Sequence, residues 1–313
     1  MTAMLPPFEF AVIAELGHSA DQWFSLVRRS ESLGYDALYV TDHLYQRLSP
    51  VPALAAAAPI SRTLRLGTFV LNNDLRNPAV MAREAMTIHT LSGHRAVLGL
   101  GAGWMPADYR DADLPLDPGG TRYERLRAAV RTVKRVFADR TEAHTSGEDM
   151  ATGLDRTPST GPDPAAVPAL MLGGGRRRTL TLAGQEADIV TIVPPLGPQG
   201  PVDHADSMPE QVDTQVAWVR AGAAGREKPP VLNYLLWACF VTDDPQSVLS
   251  TLAGRLGYPP EDVARMVPYL VGTADQLAQT LLTRRARWGF SLVTIPEAAI
   301  EQFAPVIAIL RPR

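Results

Sequence analysis

Short apolar runs alternate along this chain with longer segments in which apolar residues recur every three or four positions. The runs are typical of strands in a parallel sheet buried on both faces, and the longer segments are typical of amphipathic helices. Strands are predicted at 8–14, 36–40, 64–71, 95–101, 168–172, 188–193, 232–241 and 291–295. Helices are predicted at 20–33, 50–60, 79–91, 120–138, 176–185, 210–223, 245–256, 260–266 and 273–288, with a last helix ending near residue 310.

This alternation predicts a (β/α)8 barrel, that is, a TIM barrel, with residues 1–313 forming a single domain. A doubly wound open sheet is the alternative. It is less favoured because polar or glycine-rich segments follow the second, third, fourth and fifth strands, whereas an open sheet concentrates its site at one switch point. With 313 residues, of which 46% are hydrophobic, the chain can form the core of one barrel.

Two polar segments interrupt the alternation. Residues 139–167 and 194–209 are rich in turn-forming and polar residues and lack periodic apolar positions. Segments of this length without secondary structure are uncommon in a compact domain and are usually functional loops or disordered. Both are predicted to be mobile loops over the site, inserted at the carboxyl-terminal face of the barrel.

His43 follows the second predicted strand, directly after Asp42. Catalytic groups of a barrel lie at the carboxyl ends of its strands, where a histidine can exchange a proton near neutral pH. In this interpretation Asp42 fixes the tautomer of the imidazole. The alternative is an Asp-His pair that only caps a loop.

A glycine-rich turn with arginines follows the fifth predicted strand, at Gly173, Gly174, Gly175 and Arg176. Glycines let backbone N–H groups approach an oxyanion, which a helix N-terminus and a guanidinium also attract. The spacing matches neither a P-loop nor a dinucleotide-binding fingerprint, which disfavours nucleotide hydrolysis and ordinary NAD binding. The functional interpretation is that this turn binds the phosphate of a cofactor. The alternative is a tight turn before an exposed basic helix face.

Further candidates lie at the ends of the first, third and fourth predicted strands. Asn72 is placed to reach a planar heterocycle, although asparagine is also an ordinary turn residue. Gly101 and Gly103 alternate, which keeps one strand face clear for a ligand or for another backbone segment. Trp104 would form a ligand wall or a packed rim, and Glu15 would contact substrate or remain a solvated carboxylate.

The composition limits the kinds of partner that this protein is expected to bind. A net charge of −3 and a pI near 6.1 give no reason to expect nucleic acid or an anionic membrane, so a small molecule is expected. Cys239 is the only cysteine and the histidines lack metal-ligand spacing, so neither a disulfide nor a metal is predicted. We find no apolar run long enough to cross a membrane and no secretory leader, and therefore expect a cytoplasmic protein.

A set of motifs occurs in order along the chain: Thr41-Asp-His43, 67–74, Ala82-Arg-Glu84, 91–95, Gly99-Leu-Gly-Ala-Gly-Trp104, 173–178, Ala187-Asp188 and Val271-Gly-Thr273. Together they resemble the bacterial luciferase-like monooxygenase family, and most closely its actinobacterial members that are coenzyme F420-dependent oxidoreductases. The resemblance extends over nearly the whole chain.

The resemblance implies a barrel with a cofactor ring system at the carboxyl ends of the strands. The turn 173–178 would hold the cofactor phosphate, and His43 would contact the ring or the reacting substrate. Sugar-phosphate dehydrogenases of the family carry a glutamate where this chain has Trp104, which disfavours a sugar-phosphate substrate. A bulge with a non-proline cis peptide bond would back the ring and include Val70, Leu71 and Asn72.

The predicted function is that of an F420-dependent oxidoreductase, which transfers a hydride between the deazaflavin and a small organic substrate while His43 gives or accepts a proton. An FMN-dependent two-component monooxygenase, with a separate reductase, is the first alternative. A non-catalytic protein that binds a flavin or deazaflavin is the second. A flavin or F420 reductase is a possible partner, and the resemblance implies a homodimer, with helix 79–91 as a candidate interface.

Overall fold

The computed structural model describes residues 6–15, 17–146, 166–197, 200–201 and 203–311. The strands in these ranges are β1 (Glu9–Ala14), β2 (Ala37–Val40), β3 (Arg65–Thr68), β4 (Leu71–Asn72), β5 (Ala96–Gly101), β6 (Ala169–Gly174), β7 (Ile189–Ile192), β8 (Leu196–Gly197), β9 (Gly200–Pro201), β10 (Val231–Leu235), β11 (Ala238–Val241), β12 (Tyr269–Gly272) and β13 (Phe290–Pro296). The α-helices are α1 (Ala20–Ser32), α2 (Pro50–Ala57), α3 (Pro78–Leu91), α4 (Pro106–Asp111), α5 (Gly119–Ser146), α6 (Arg177–Glu186), α7 (Pro209–Gly222), α8 (Pro245–Leu256), α9 (Pro260–Arg265), α10 (Ala274–Trp288) and α11 (Ile300–Leu310).

Parallel strands close into a barrel. Around the ring their order is β1, β2, β3, β5, β6, β7, β10 and β13, and β13 pairs with β1. Direct pairing of β3 with β5, through Leu66 with Ala96 and Gly67 with Val97, completes the ring. This closure confirms the predicted (β/α)8 barrel, and an open sheet is excluded.

The barrel strands are buried on both faces. Side chains such as Tyr39 and Met171 fill the inside of the barrel, whereas their neighbours Leu38 and Leu172 pack against the surrounding helices. Successive side chains of a strand point to opposite faces, so both faces must be apolar. This explains why the strands are continuously apolar in the sequence instead of alternating.

The helix that precedes the last barrel strand shows how local sequence sets the element ends. Thr273 and Gln276 form a capping box at the start of α10, in which each side chain accepts a hydrogen bond from the backbone N–H of the other. Gly289 ends the helix with a φ of 86°, a left-handed conformation that favours glycine. The chain therefore turns directly from α10 into β13.

The predicted seventh strand, 232–241, is wrong as one element. Its first part is β10 in the barrel, and its second part is β11, which pairs in parallel outside the barrel with β12, a strand not predicted from the sequence. The bend lies at Leu236 and Trp237, whose N–H groups donate to the carbonyls of Thr294 and Pro268. Because the apolar run is unbroken across the bend, the sequence carries no signal of it.

The prediction of two loops is only partly correct. Residues 139–146 belong to α5, since the segment after residue 138 contains no Gly or Pro before position 147, and polar residues alone do not end a helix. The remainder of the first loop, 147–165, lies outside the described residues. Within 194–209, β8 and β9 form an antiparallel pair and His204–Ser207 forms a 3₁₀ turn, so this segment carries its own short elements.

Candidate active site at the carboxyl ends of the strands

A cavity of about 840 Å³ opens at the carboxyl ends of the barrel strands. Its volume lies in the upper part of the range of small-molecule pockets, roughly 300–1,000 Å³. Two predicted site residues do not line it: Leu71 is packed in the core, and Glu15 is exposed on the surface. The predicted residues that do line it are Asp42, His43, Val70, Asn72, Gly101, Gly103, Trp104, Gly173, Gly174, Gly175 and Arg176.

His43 is held by a carboxylate that sequence reasoning missed. Its Nδ1 lies 2.8 Å from Oδ2 of Asp108, a buried residue of α4. The other oxygen, Oδ1, accepts the backbone N–H of Leu44 at 3.0 Å. This fixes the imidazole at Nδ1 and leaves Nε2 without a hydrogen-bond partner among the residues that the structure describes. The available nitrogen belongs to a side chain that lines the cavity.

Two aromatic rings fix the plane of the imidazole. Tyr45 stacks on His43 with ring centroids 5.3 Å apart and an angle of 10° between the planes. Trp104 meets the imidazole edge-on at 6.0 Å and 90°. Trp104 also lines the cavity, so it forms part of the cavity wall.

Asp42 does not pair with His43, and that predicted pairing is wrong. Its Oδ2 accepts the backbone N–H of Asn72 at 3.0 Å and a hydrogen bond from the guanidinium of Arg76. Both residues lie in the irregular segment just after β2, where Asp42 is buried with these partners and His43 pairs with Asp108. Asp42 therefore anchors the chain after β3.

The segment that Asp42 anchors contains a cis peptide bond between Phe69 and Val70, at the edge of the range expected from the resemblance. The glycines of β5 make room for it. A Cβ on Gly99 would lie 2.0 Å from the carbonyl oxygen of Thr68, and one on Gly101 would lie 2.5 Å from Cγ2 of Val70. The clear strand face thus accommodates a neighbouring segment of this chain, and Val70 reaches the cavity wall.

A second network supports the same segment from α4 and α5. The hydroxyl of Tyr109 donates to Oδ2 of Asp74 at 2.9 Å, and Arg125 binds both oxygens of Asp74 at 2.9 and 2.7 Å. Burial, together with the Asp74 carboxylate, raises the pKa of Tyr109, so the phenol remains a donor. Gly103 has a φ of 71°, and a Cβ there would lie 2.3 Å from the Tyr109 oxygen.

The glycine turn after β6 is held in place by a side chain of α7. Nε2 of Gln215, a fully buried residue of α7, donates to the carbonyls of Gly175 and Val193, each at 3.0 Å. A Cβ on Gly175 would lie 2.5 Å from the Val193 carbonyl oxygen. Glycine at position 175 is therefore required by the close approach of the chain after β7.

The arginines after this turn differ in their contacts. Arg178 pairs with Glu124, and its guanidinium lies 4.1 Å from the centre of the Tyr123 ring. Arg176 and Arg177 are exposed, line the cavity and form no hydrogen bond or ion pair with any residue in the described ranges. Two guanidiniums at the start of α6 can therefore bind an anion.

No group of three or more His, Cys, Asp or Glu side chains in the described part of the chain could hold a metal ion. In the same ranges, no helix combines the length and the apolar character needed to cross a membrane.

The structure is a barrel in which a histidine and a glycine-rich turn with two exposed arginines line one cavity. A sequence model of the luciferase-like monooxygenase family matches residues 4–288. The chain belongs to this family, which confirms the resemblance noted from its motifs, and the family's oxidoreductases and monooxygenases support an enzyme.

The chain is similar to proteins of more than one activity. It is 27% identical over 219 residues to a 5,10-methylenetetrahydromethanopterin reductase from Methanolobus tindarius, a match that covers 68% of this chain and 59% of that relative. An F420-dependent secondary alcohol dehydrogenase, solved with an F420-acetone adduct, superposes with a TM-score of 0.72 at 16% identity, covering 98% of this chain and 100% of the other. The FMN-bound oxygenating component of 3,6-diketocamphane monooxygenase from Pseudomonas putida gives 0.65 at 14% identity, covering 96% and 94%. These two likenesses show the fold.

Proposed function

We propose that this protein is an F420-dependent oxidoreductase that transfers a hydride between the deazaflavin and a small organic substrate. The observation that carries the proposal is the arrangement of His43, with Nδ1 bound to Asp108 and Nε2 unpaired, in the same cavity as the turn that leads into Arg176 and Arg177. One end of the cavity can exchange a proton and the other can bind a phosphate.

The residues present fit a phosphorylated flavin or deazaflavin. The turn 173–175 and the guanidiniums of Arg176 and Arg177 would hold the phosphate, because all of them reach the cavity. The charge of Arg176 also acts on Asp206, so Arg177 is the more available of the two cations. Val70 projects into the cavity through the gap that Gly101 leaves in β5, so it would support the ring system. Trp104 would close the side of the ring pocket next to His43.

When bound, F420 supplies a carbon centre that gives or accepts a hydride. Residues of the chain would transfer the proton and limit the access of water. Nε2 of His43 gives a proton to the substrate oxygen or carbon, or takes it, while Asp108 holds the ring in one tautomer. Trp104 and Phe69 cover part of the cavity with apolar surface, which limits the access of water.

An FMN-dependent monooxygenase is the second candidate, supported by the FMN-bound neighbour with the same fold. We prefer F420 because the motifs of this chain most closely resemble those of F420-dependent oxidoreductases, and an F420-dependent alcohol dehydrogenase has the same fold. The FMN hypothesis requires a flavin reductase as a partner protein, whereas the F420 hypothesis requires an enzyme that reduces or oxidises F420.

Parallel equilibrium titrations of the purified protein with oxidised F420 and with FMN, followed by fluorescence quenching, test the proposal. Binding of F420 at least about tenfold tighter than FMN supports it, a difference of about 1.4 kcal/mol. Preference for FMN contradicts it in favour of the monooxygenase. If His43→Ala leaves both cofactor affinity and turnover unchanged, the role of His43 is wrong.

We also propose a homodimer that uses α3. Its buried side packs Met81 and Ile88 into the core, while Val80 and Leu91 on the same helix are 50% and 55% exposed. Sedimentation of the protein and of Val80→Glu tests this, since a charge in an apolar interface should give monomers.

A further inference from the structure

We propose that the substrate is an uncharged molecule with an apolar ring, which binds against Trp237 in the half of the cavity that faces away from the arginines. This inference rests on the proposed function, since it names the substrate class of the same site. It concerns the side of the cavity formed by β10, β13, β1 and β2, which are consecutive neighbours in the barrel.

The barrel divides the cavity into two halves. On one side β5, β6 and β7 are neighbours, and their ends carry Trp104, the turn 173–175 and Val193. On the other side the ends of β1 and β10 contribute Ile13 and Leu235, and the chain after β10 contributes Trp237. The first side, which carries the arginines, is called the cofactor side, and the second is called the substrate side. A cofactor held on the first leaves the second for the substrate, and His43 at the end of β2 faces both.

The two halves differ in charge. The four arginines that line the cavity lie on α5 or in the segment that leads into α6 and its first turn, all of them on the cofactor side: Arg122, Arg176, Arg177 and Arg178. Among the described residues of the substrate side no Lys or Arg lines the wall. Its ionisable groups are already paired, Asp42 with Arg76 and His43 with Asp108.

Two carboxylates follow strands that form the substrate side and strengthen this difference. Glu15, after β1, is exposed and its charge acts on Tyr45, and Glu297, after β13, pairs with His18 at 2.9 Å. Burial raises the pKa of Tyr45, and the negative charges of Glu15 and Asp108 raise it further. An anionic substrate would thus find these carboxylates and no cation in the wall, since Arg76 is already paired with Asp42, whereas an uncharged substrate needs no counter-charge.

The wall of this half contains apolar side chains and the indole ring of Trp237. Ile13, Leu235 and Phe69 present aliphatic or aromatic surface to the cavity. Trp237 is half-buried, and its ring is braced edge-on by Tyr269 at 6.1 Å and 79°. The bend after β10 turns Trp237 toward the cavity, and a flat ring stacked on it would cover this surface.

The test compares two probes with the same phenyl-alkene skeleton. Benzylideneacetone is an uncharged aryl enone, and trans-cinnamate carries a carboxylate in place of the acetyl group. Calorimetric titration is made with the wild type, with Trp237→Ala and with Trp237→Phe, each as apo-protein and saturated with the cofactor that binds. Trp237→Phe is the matched control because it retains an aromatic face, and circular dichroism verifies that each variant is folded.

We expect the enone to bind the wild type at least about tenfold tighter than cinnamate, Trp237→Ala to weaken the enone by about tenfold, and Trp237→Phe to weaken it by less than about threefold. Equal or tighter binding of cinnamate overturns the uncharged class. Unchanged enone affinity in Trp237→Ala overturns the ring site. If neither F420 nor FMN binds, the proposed function fails, but the apo-protein titrations still decide this inference.

Discussion

Nδ1 of His43 and Oδ2 of Asp108 lie 2.8 Å apart, although 65 positions separate the two residues in the sequence. Asp108 is buried, and its second oxygen is bound to the backbone of Leu44, so the carboxylate has one fixed orientation. A histidine bound at one nitrogen presents the other in a defined tautomer. Asp108 therefore performs the positioning role that the sequence suggested for Asp42.

Replacing Asp108 by asparagine should lower kcat by about 10- to 100-fold while KM and cofactor affinity change by less than about twofold. The amide preserves the shape of the side chain but binds either tautomer of His43, so the unpaired nitrogen no longer has a defined protonation. Steady-state kinetics give the split between kcat and KM, and ¹⁵N NMR of the histidine ring should show a mixture of tautomers.

Asp111→Asn is the matched control, because Asp111 lies on the same short helix but is exposed. Its kinetics should equal those of the wild type. A variant at Asp108 that retained full kcat and a single tautomer would contradict the positioning role.

Much of the fold follows from the sequence because each barrel strand carries its own apolar run. His43 and the turn 173–175 were also recognisable, since both directly follow such runs. Asp108 was not, because its partner comes from a distant strand and α4 has too few residues for a periodic pattern. Trp237 was missed for a different reason: the bend that exposes it lies inside an unbroken apolar run.

Gly101→Ala should destabilise the protein by about 1–3 kcal/mol and weaken cofactor binding. The new Cβ would lie 2.5 Å from Cγ2 of Val70, whose branched side chain cannot turn away without moving the segment that backs the cavity. Urea denaturation and cofactor titration measure the two effects.

Gly254→Ala should change the stability of the protein in the opposite direction. Position 254 lies within α8, and a Cβ there would meet no atom within 4 Å. Alanine should stabilise this helix by about 0.5–1 kcal/mol and leave cofactor affinity unchanged. Equal behaviour of the two variants would contradict the packing argument.

Arg177→Ala should weaken binding of the phosphate-bearing cofactor by about tenfold, the loss of one charge-assisted contact, and should not change the affinity for the same ring without phosphate. FMN against riboflavin, or F420 against its phosphate-free ribityl deazaflavin, provides the comparison. Arg131→Ala is the control, since Arg131 is exposed on α5 and does not line the cavity. Equal losses for both forms of the ring would show that Arg177 does not bind the phosphate.

Glu31 should make stability depend on pH far from the active site. Its Oε1 accepts hydrogen bonds from Ser61 Oγ, Arg62 N, and both N and Oγ1 of Thr63, at 2.6 to 3.0 Å. Burial alone would raise its pKa, but the hydrogen bonds outweigh burial and lower the pKa from 4.5 to about 2. The folded state therefore favours the charged form, and this stabilisation is complete above the unfolded pKa and is lost as pH falls from 4.5 toward 2.

Glu31→Gln should accordingly lower the free energy of unfolding at pH 7 by about 1–2 kcal/mol, less than the full shift implies because the side chain is partly solvated. The difference from the wild type should shrink as the pH is lowered through 4.5 toward 3, since protonation then removes the charge from the wild type as well. Urea denaturation at a series of pH values measures this, with the exposed Glu227→Gln as control. A difference that stayed constant across this range would show that the charge of Glu31 does not stabilise the loop, and that only the shape of its side chain matters.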